Sequence, residues 1–474
     1  MNRSSCLTGA AIGLAMVCAT AQAQVKDPIP DSLSLGGVTI YGTVDVGYAY
    51  QSSGVPLSST LPGGLEYQAF TTTRNFAGSV SSAAESGLEQ SKIGIRVNEP
   101  IADDWTLIAQ AETGFNPLSG HLTDACASLA QNGPVPQGEQ TANADSSRCG
   151  QAFNSVLMGG VSNKMLGTLT IGRQNALELT TLAGYDPQGL SYAFSFLGYS
   201  GFNGGAGSTE GARWDNSFKY TYASGPVHFS VMYTGGGYDT GTLGSAVGAN
   251  LGGTFGGLSL DAVYQNENSV VNLRSSFDDA GINPLPSPGL AAYISDDTSY
   301  NLMGKYTFDI ANGGPAASAD KLTVYAGYTH MTKAHGPYTT GEAQGGYPIS
   351  VGIAIENSAV YNMEWVGAKY AMHTGWSFTG ALYHVSQNSW TIGTTATPPT
   401  TGIDCADAGL LCAGDFYEAS AVADYAFNKH YDAYFGLNYS EVTDGLAWGF
   451  PGTTVGTSGS QSQTTGMVGF RVRF

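Results

Sequence analysis

The sequence predicts an all-β chain, a transmembrane antiparallel β-barrel of about sixteen strands. Three observations carry that expectation. Stretch after stretch alternates apolar and polar side chains with period two, as a wall between lipid and water requires. The connections alternate between short and long. Charged residues are only 12% of the chain, and tyrosine (27) outnumbers lysine plus arginine (18). Roughly a quarter of an ordinary soluble domain is charged, so a surface this poor in charge and rich in aromatics suits a lipid neighbour.

The strands are expected at about 38–50, 89–98, 105–115, 153–161, 166–173, 212–223, 227–234, 246–255, 258–266, 298–309, 321–330, 360–372, 376–387, 416–427, 430–441 and 464–474. In 430–441, Tyr431, Ala433, Phe435, Leu437 and Tyr439 share one face, and Asp432, Tyr434, Gly436, Asn438 and Ser440 the other. In 298–309, Tyr300, Leu302, Tyr306 and Phe308 oppose Asn301, Lys305, Thr307 and Asp309. The stretch 246–255 is mostly glycine and small residues, which makes its alternation the faintest. Short connections at 99–104, 162–165, 224–226, 256–257, 373–375 and 428–429 read as turns on the periplasmic side. Long ones at 51–88, 116–152, 174–211, 267–297, 331–359, 388–415 and 442–463 read as outward-facing loops. Aromatics gather near strand ends (Tyr48, Tyr50, Phe115, Tyr220, Tyr222, Tyr425, Phe427), where an amphipathic ring prefers the headgroup level.

Residues 1–23 read as a secretory signal: Arg3, an apolar run over 7–17, then Ala21-Gln22-Ala23 as a small-x-small cleavage site. The barrel is then expected within 24–474. A lipidated Cys18 fits less well, because Val17 before it is bulky. Past this segment no apolar window is long enough for a membrane helix, so any span must be made of strands. Export permits disulfides among Cys126, Cys149, Cys405 and Cys412. Three connectivities are possible, of which 126–149 and 405–412 are the simplest. Zinc fits poorly, since there is no CxxC and no histidine cluster nearby. The 66 glycines show no three-residue period, which excludes collagen, and the many aromatics exclude most disordered chains. A net charge of −19 argues against nucleic acid as a partner.

At 466–474 the alternation of Gly466, Val468, Phe470, Val472 and Phe474 with Met467, Gly469, Arg471 and Arg473 resembles the closing strand of outer-membrane proteins. In those proteins a terminal aromatic, here Phe474, is read by the barrel-assembly machinery. Segments 38–45 (VTIYGTVD), 91–96 (SKIGIR), 167–174 (GTLTIGRQ), 213–220 (RWDNSFKY) and 423–435 around Asn428-Lys429-His430 resemble, in that order, the Gram-negative general diffusion porin family. The resemblance implies a homotrimer of sixteen-stranded barrels in outer-membrane lipid. It implies passive diffusion of small hydrophilic solutes and ions, with no cofactor and no bond chemistry. It also implies that the third long loop folds into the lumen, with acidic loop residues facing basic wall residues.

Parity nominates the wall groups. With Ile93, Ile95 and Val97 toward lipid, Lys92 and Arg96 face the lumen; with Phe218, Tyr220 and Tyr222 outward, Arg213, Asp215 and Lys219 face inward. The resemblance places Lys92 and Arg213 in the basic cluster. Related porins often carry a wall arginine where this sequence has Ser155. Arg173 shares parity with Leu169 and Ile171, and reads as a loop anchor at a bend. On the third loop Glu178, Asp186 and Glu210 are the acids at hand, Asp186 being the best candidate for the tip. Glu112 and Asp45 also face inward. Together with the net charge they tilt the expectation toward cations.

Two rivals remain. A barrel hydrolase would need a histidine beside a nucleophile or carboxylate, and no GxSxG motif is present among the 7 histidines' surroundings or elsewhere. A channel specific for sugars or carboxylates would use an aromatic track or basic ladder, which lumenal tyrosines such as Tyr325 and Tyr434 do not decide. A purely structural or adhesive outer-membrane protein would conduct no ions.

Overall fold

A computed structural model of the protein describes residues 33–52, 78–123, 151–199, 212–236, 244–273, 290–311, 319–335, 343–344, 347–389, 391–393, 413–444 and 460–474. The signal segment 1–23, the four cysteines and Glu210 lie outside the described residues. Among those residues no helix is long and apolar enough to cross a membrane.

The wall is antiparallel and closed. Its strands are β1 (Val38–Gln51), β2 (Lys92–Ala102), β3 (Trp105–Gly114), β4 (Val156–Asn163), β5 (Gly167–Asn175), β6 (Arg213–Ser224), β7 (Val227–Gly235) and β8 (Ser245–Phe255). They continue as β9 (Leu258–Leu273), β10 (Leu290–Ile310), β11 (Asp320–His335), β12 (Ala359–Ala371), β13 (Trp376–Gln387), β14 (Gly414–Ala426), β15 (Tyr431–Thr443) and β16 (Ser460–Arg473). Each pairs with its neighbours in sequence. β1 closes the ring by pairing with β2 through Thr43 and Lys92 and with β16 through Thr43 and Arg473. Closure leaves no unpaired edge to face hydrocarbon, which is the condition for crossing a bilayer with strands.

The alternation turns into two surfaces. On β10, Tyr300, Leu302 and Phe308 are exposed on the outer face, while Ser299, Asn301 and Met303 are buried inside. Leu302 is 63% exposed and lies well inside its strand. Leu302→Arg should therefore cost about 2–4 kcal/mol, the midplane cost of a lipid-facing arginine. Ser377→Arg, aimed inward and paired across from Asp424, should change stability by no more than about 0.5 kcal/mol. Equilibrium unfolding from lipid vesicles checks both, and equal costs would contradict the two-surface reading. Aromatic rings gather at the short-turn end: Trp376 lies 4.8 Å from Tyr425, Tyr425 5.1 Å from Phe427, and Tyr431 6.1 Å from Phe470. That is the girdle expected at a lipid–water boundary.

Some bounds differ from the sequence expectation, each for a local reason. β2 begins at Lys92 rather than 89, because residues 86–91 turn inward onto Asp45. The upper half of β1 pairs instead with a short strand, Val80–Glu85, inside the expected loop. β4 starts at Val156 rather than 153: the Asn154 side chain takes Gly114 N–H (2.7 Å) and donates to Gly114 O (3.0 Å), holding the chain off the ladder. The β9–β10 hairpin runs on to Leu273 and Leu290, past a register shift at Glu267 and Val270. Beyond the lipid both faces of a hairpin meet water, so period two fades and sequence alone reads a loop. The glycine-rich β8 forms in full, paired on both sides.

Candidate functional site

The connection between β5 and β6 is the third long loop, and it lies against inward-facing side chains. Its first part is α1 (Leu177–Tyr185), followed by the short α2 (Phe196–Tyr199). Thr180 and Thr181 hydroxyls bond back to the Ala176 (3.0 Å) and Leu177 (2.7 Å) carbonyls. The helix stops where Pro187 forces the preceding Asp186 into an extended conformation. From there the loop touches strand after strand. Tyr185 donates to Asp261 on β9 (2.5 Å), Lys305 on β10 to Gly184 O (2.7 Å), and the Trp365 indole on β12 to Tyr185 O (3.0 Å). Gln188 donates to Ser420 on β14 (3.0 Å), and Phe196 N–H to Glu418 (3.0 Å).

The loop explains an inner wall that is apolar where parity predicts polar groups. Met232, Met303, Met331, Met363 and Trp365 point inward and are buried in one cluster with Leu177, Leu182 and Tyr185 of the loop. Phe194 seats over Gly436 of β15, where any Cβ would lie 2.5 Å from its ring. Burying such side chains stabilises the loop by about 1.5–3 kcal/mol each. One sector of the lumen, from β6 round to β15, is thus filled by protein.

Glu178 and Asp186 sit under this loop, each 2% exposed. Both were expected to face across the lumen from the loop; instead they fasten the loop to the wall. Glu178 accepts Ser299 Oγ (2.9 Å) and Asn301 Nδ2 (3.0 Å) on β10. Burial pushes its carboxyl up to about 7, with nearby Asp297 adding to the rise and the two hydrogen bonds opposing it. Asp186 accepts Tyr383 Oη (2.5 Å), Leu190 N–H (2.6 Å) and Gln188 N–H (3.3 Å). Burial raises its carboxyl too, against those hydrogen bonds.

The uncovered side of the lumen carries charge of both signs. Lys92 Nζ lies 3.1 Å from Glu89, and Arg471 and Arg473 reach the same carboxylate at 3.5 and 3.6 Å. Both arginines also hold Asp432 at 3.1 Å. Arg96 lies over the Tyr41 ring, 4.7 Å from its centroid. Glu112 accepts Tyr41 Oη (2.8 Å) and the Ser155 hydroxyl. Arg213 is buried and donates to Gln90 (3.2 Å), next to Glu89 in sequence.

Parity fails at one place on β6. Asn216 takes a positive φ of 49°, and the β5–β6 register shifts between Gly172 and Gln174. This bulge turns Trp214 inward, where its indole donates to Glu267 (2.9 Å), and withdraws Asp215 from the lumenal row. Asp215 instead pairs with Arg173 at 2.9 Å, and Arg173 Nε holds Asn154 O at 2.8 Å. Arg173 is the buried anchor its position suggests. Lys219 donates to Asn175 O at 3.1 Å. Phe474 continues the β16 ladder onto β1, exchanging backbone bonds with Gly42 at 3.0 and 3.1 Å. Sequence reasoning missed Glu89, Arg471, Arg473 and Asp432 as one group. The arginines were findable, because they share parity with inward Met467.

The model of the Gram-negative porin family matches residues 10–445, and the chain belongs to that family. It is an outer-membrane β-barrel, a channel for passive diffusion. Among solved structures it is similar to the anion-selective porin from Comamonas acidovorans, with a TM-score of 0.53 and 15% identity over 92% of this chain and 99% of that one. It is also similar to outer-membrane-expressed OmpT of Vibrio cholerae, with a TM-score of 0.51 and 14% identity over 94% of this chain and 100% of that one. At these identities the likeness speaks for the fold alone. No curated protein matches the sequence.

Proposed function

We propose that this porin is a general diffusion pore of weak cation preference, assembled as a homotrimer. The observation that carries the reading is the division of the inner wall. One sector is apolar and covered by the third loop, and the other is a polar strip where Arg96, Tyr41, Glu112, Lys92 and Glu89 mix both signs of charge. A strip of mixed groups passes many small hydrophilic solutes and ions. A substrate-specific channel would line it with one kind of group.

In this reading Lys92, Arg96 and Arg213 are the positive groups beside the constriction, and Glu178 and Asp186 fix the loop that narrows it. Glu112 has hydroxyl partners, Tyr41 and Ser155, and so keeps its negative field in the lumen. With a chain charge of −19, that favours cations. Diffusion makes and breaks no bond, so no catalytic group or cofactor is assigned. Family membership supports trimer formation, and the terminal position of Phe474 on β16 supports its recognition by the assembly machinery. The convergence of Lys92, Arg471 and Arg473 favours a second reading, anion preference, and the similar Comamonas protein is described as anion-selective. Reversal potential across a KCl gradient separates the two. A potential of cation sign is expected, and one of anion sign would replace the first reading by the second.

A further inference from the structure

We propose that Glu89 is the resident counter-ion of a latent oxyanion site made by Lys92, Arg471 and Arg473, and that it sets the ion preference of this pore. The inference rests on the diffusion-pore reading and names the residue on which its selectivity turns. Three cationic side chains from β2 and β16 converge on one carboxylate at 3.1, 3.5 and 3.6 Å. Arginine and lysine grouped in this way are what a free carboxylate or phosphate would meet. The position such a ligand would take is filled by the protein's own carboxylate. Glu89 and Lys92 are 31% and 26% exposed and Arg473 39%, so solution reaches the group.

Glu89 is held there by built structure on two sides. On the wall side, the Asp45 carboxylate accepts the N–H groups of Leu88 (2.8 Å) and Glu89 (3.0 Å), and Tyr434 Oη donates to its other oxygen (2.7 Å). Ser86, at φ 57°, turns the chain inward, with its N–H on Asp45 O at 2.8 Å. On the lumen side, Gly87 O accepts Ser191 Oγ (2.9 Å) and Ala193 N–H (2.9 Å), both from the third loop. Gly87 admits no side chain, since a Cβ would stand 2.3 Å from Tyr434 Oη. The first loop thus sends a second inward tongue, clamped between wall and third loop, whose tip is an anion. The three cations also depress the Glu89 carboxyl below its usual range, although burial alone would raise it. It stays charged at neutral pH.

Counting the groups in mutual contact, Lys92, Arg471 and Arg473 balance Glu89, Asp432 and Asp424. Removing the charge of Glu89 leaves an excess of one positive charge at a partly exposed place on the lumen wall. The test is bilayer recording of Glu89→Gln in a KCl gradient, with inorganic phosphate as the probe. The cation-to-anion permeability ratio is expected to fall about fivefold, the effect of one unit charge near the lumen surface. Phosphate is expected to reduce the KCl current through Glu89→Gln and to leave the wild type unaffected. Adding Arg473→Gln to Glu89→Gln should restore the wild-type ratio. Should Glu89→Gln fail to assemble, Arg473→Gln alone is expected to shift the ratio toward cations by a similar factor. Conducting channels with an unchanged ratio and no phosphate effect would overturn the assignment of Glu89 and leave the diffusion pore standing. A wild type without conductance would instead overturn the diffusion pore.

Discussion

Asp186→Ala is expected to raise the single-channel current and make it noisy. Asp186 is the point where the third loop, the β13 wall and the turn after α1 meet. Alanine would leave the Tyr383 hydroxyl and the Leu190 and Gln188 N–H groups buried without their acceptor. Each such orphan costs about 1–3 kcal/mol, partly offset by no longer burying a carboxylate. A net loss of about 2–4 kcal/mol is enough to let the loop leave the wall for part of the time. The lumen then widens in bursts. Asp186→Asn keeps one acceptor oxygen and should show a smaller effect. Single-channel conductance and open-channel noise are the readouts, and a quiet channel of wild-type conductance in Asp186→Ala would contradict the latch.

The second large effect depends on pH. Burial raises the Glu178 carboxyl from 4.5 to about 7, so the docked loop prefers the neutral form. Facing it are Asp297 and Glu267, with Lys333 3.8 Å from Asp297. The sign follows from the raised value. Docking is favoured most below pH 4.5 and weakens between 4.5 and 7 by about 1.4 kcal/mol per unit, before levelling off. The full loss is about 3 kcal/mol, and it is already complete at pH 8. Glutamine mimics the protonated acid, offering oxygen to Asn301 and an amide to Ser299. Glu178→Gln should therefore slow hydrogen exchange of the α1 amides at pH 8 and leave it unchanged at pH 4, after correction for the intrinsic rate. The same pH dependence in variant and wild type would refute this role for Glu178.

The barrel was legible because its wall repeats one local rule. Period two is written into each strand separately, so β8 could be placed even with Gly248, Gly252 and Gly253 in it. The bulge at Asn216 was not legible, because a positive φ at a single residue leaves no periodic trace. Its consequence is that Trp214 turns inward and Asp215 is buried against Arg173. Met232, Met303, Met331 and Met363 escaped for a different reason. They sit on the inward rows of their strands, but only the third loop, distant in sequence, decides that inward means apolar there. Glu178 and Asp186 were singled out as the loop's acids. Their burial follows from that same docking, and neither residue's own neighbours in sequence announce it. Arg471 and Arg473 lay in plain view on the inward row of β16. What the sequence could not supply was Glu89, which reaches them only because Asp45 turns the first loop inward.

Passive diffusion through this protein requires a hydrated passage through its closed wall. The direct measurement is single-channel recording of the purified protein in a planar bilayer at several KCl concentrations. Discrete current steps are predicted, linear with voltage and proportional to bulk conductivity. Folded, membrane-inserted protein that gives no steps, or a current that saturates at low salt, would contradict a water-filled diffusion pore.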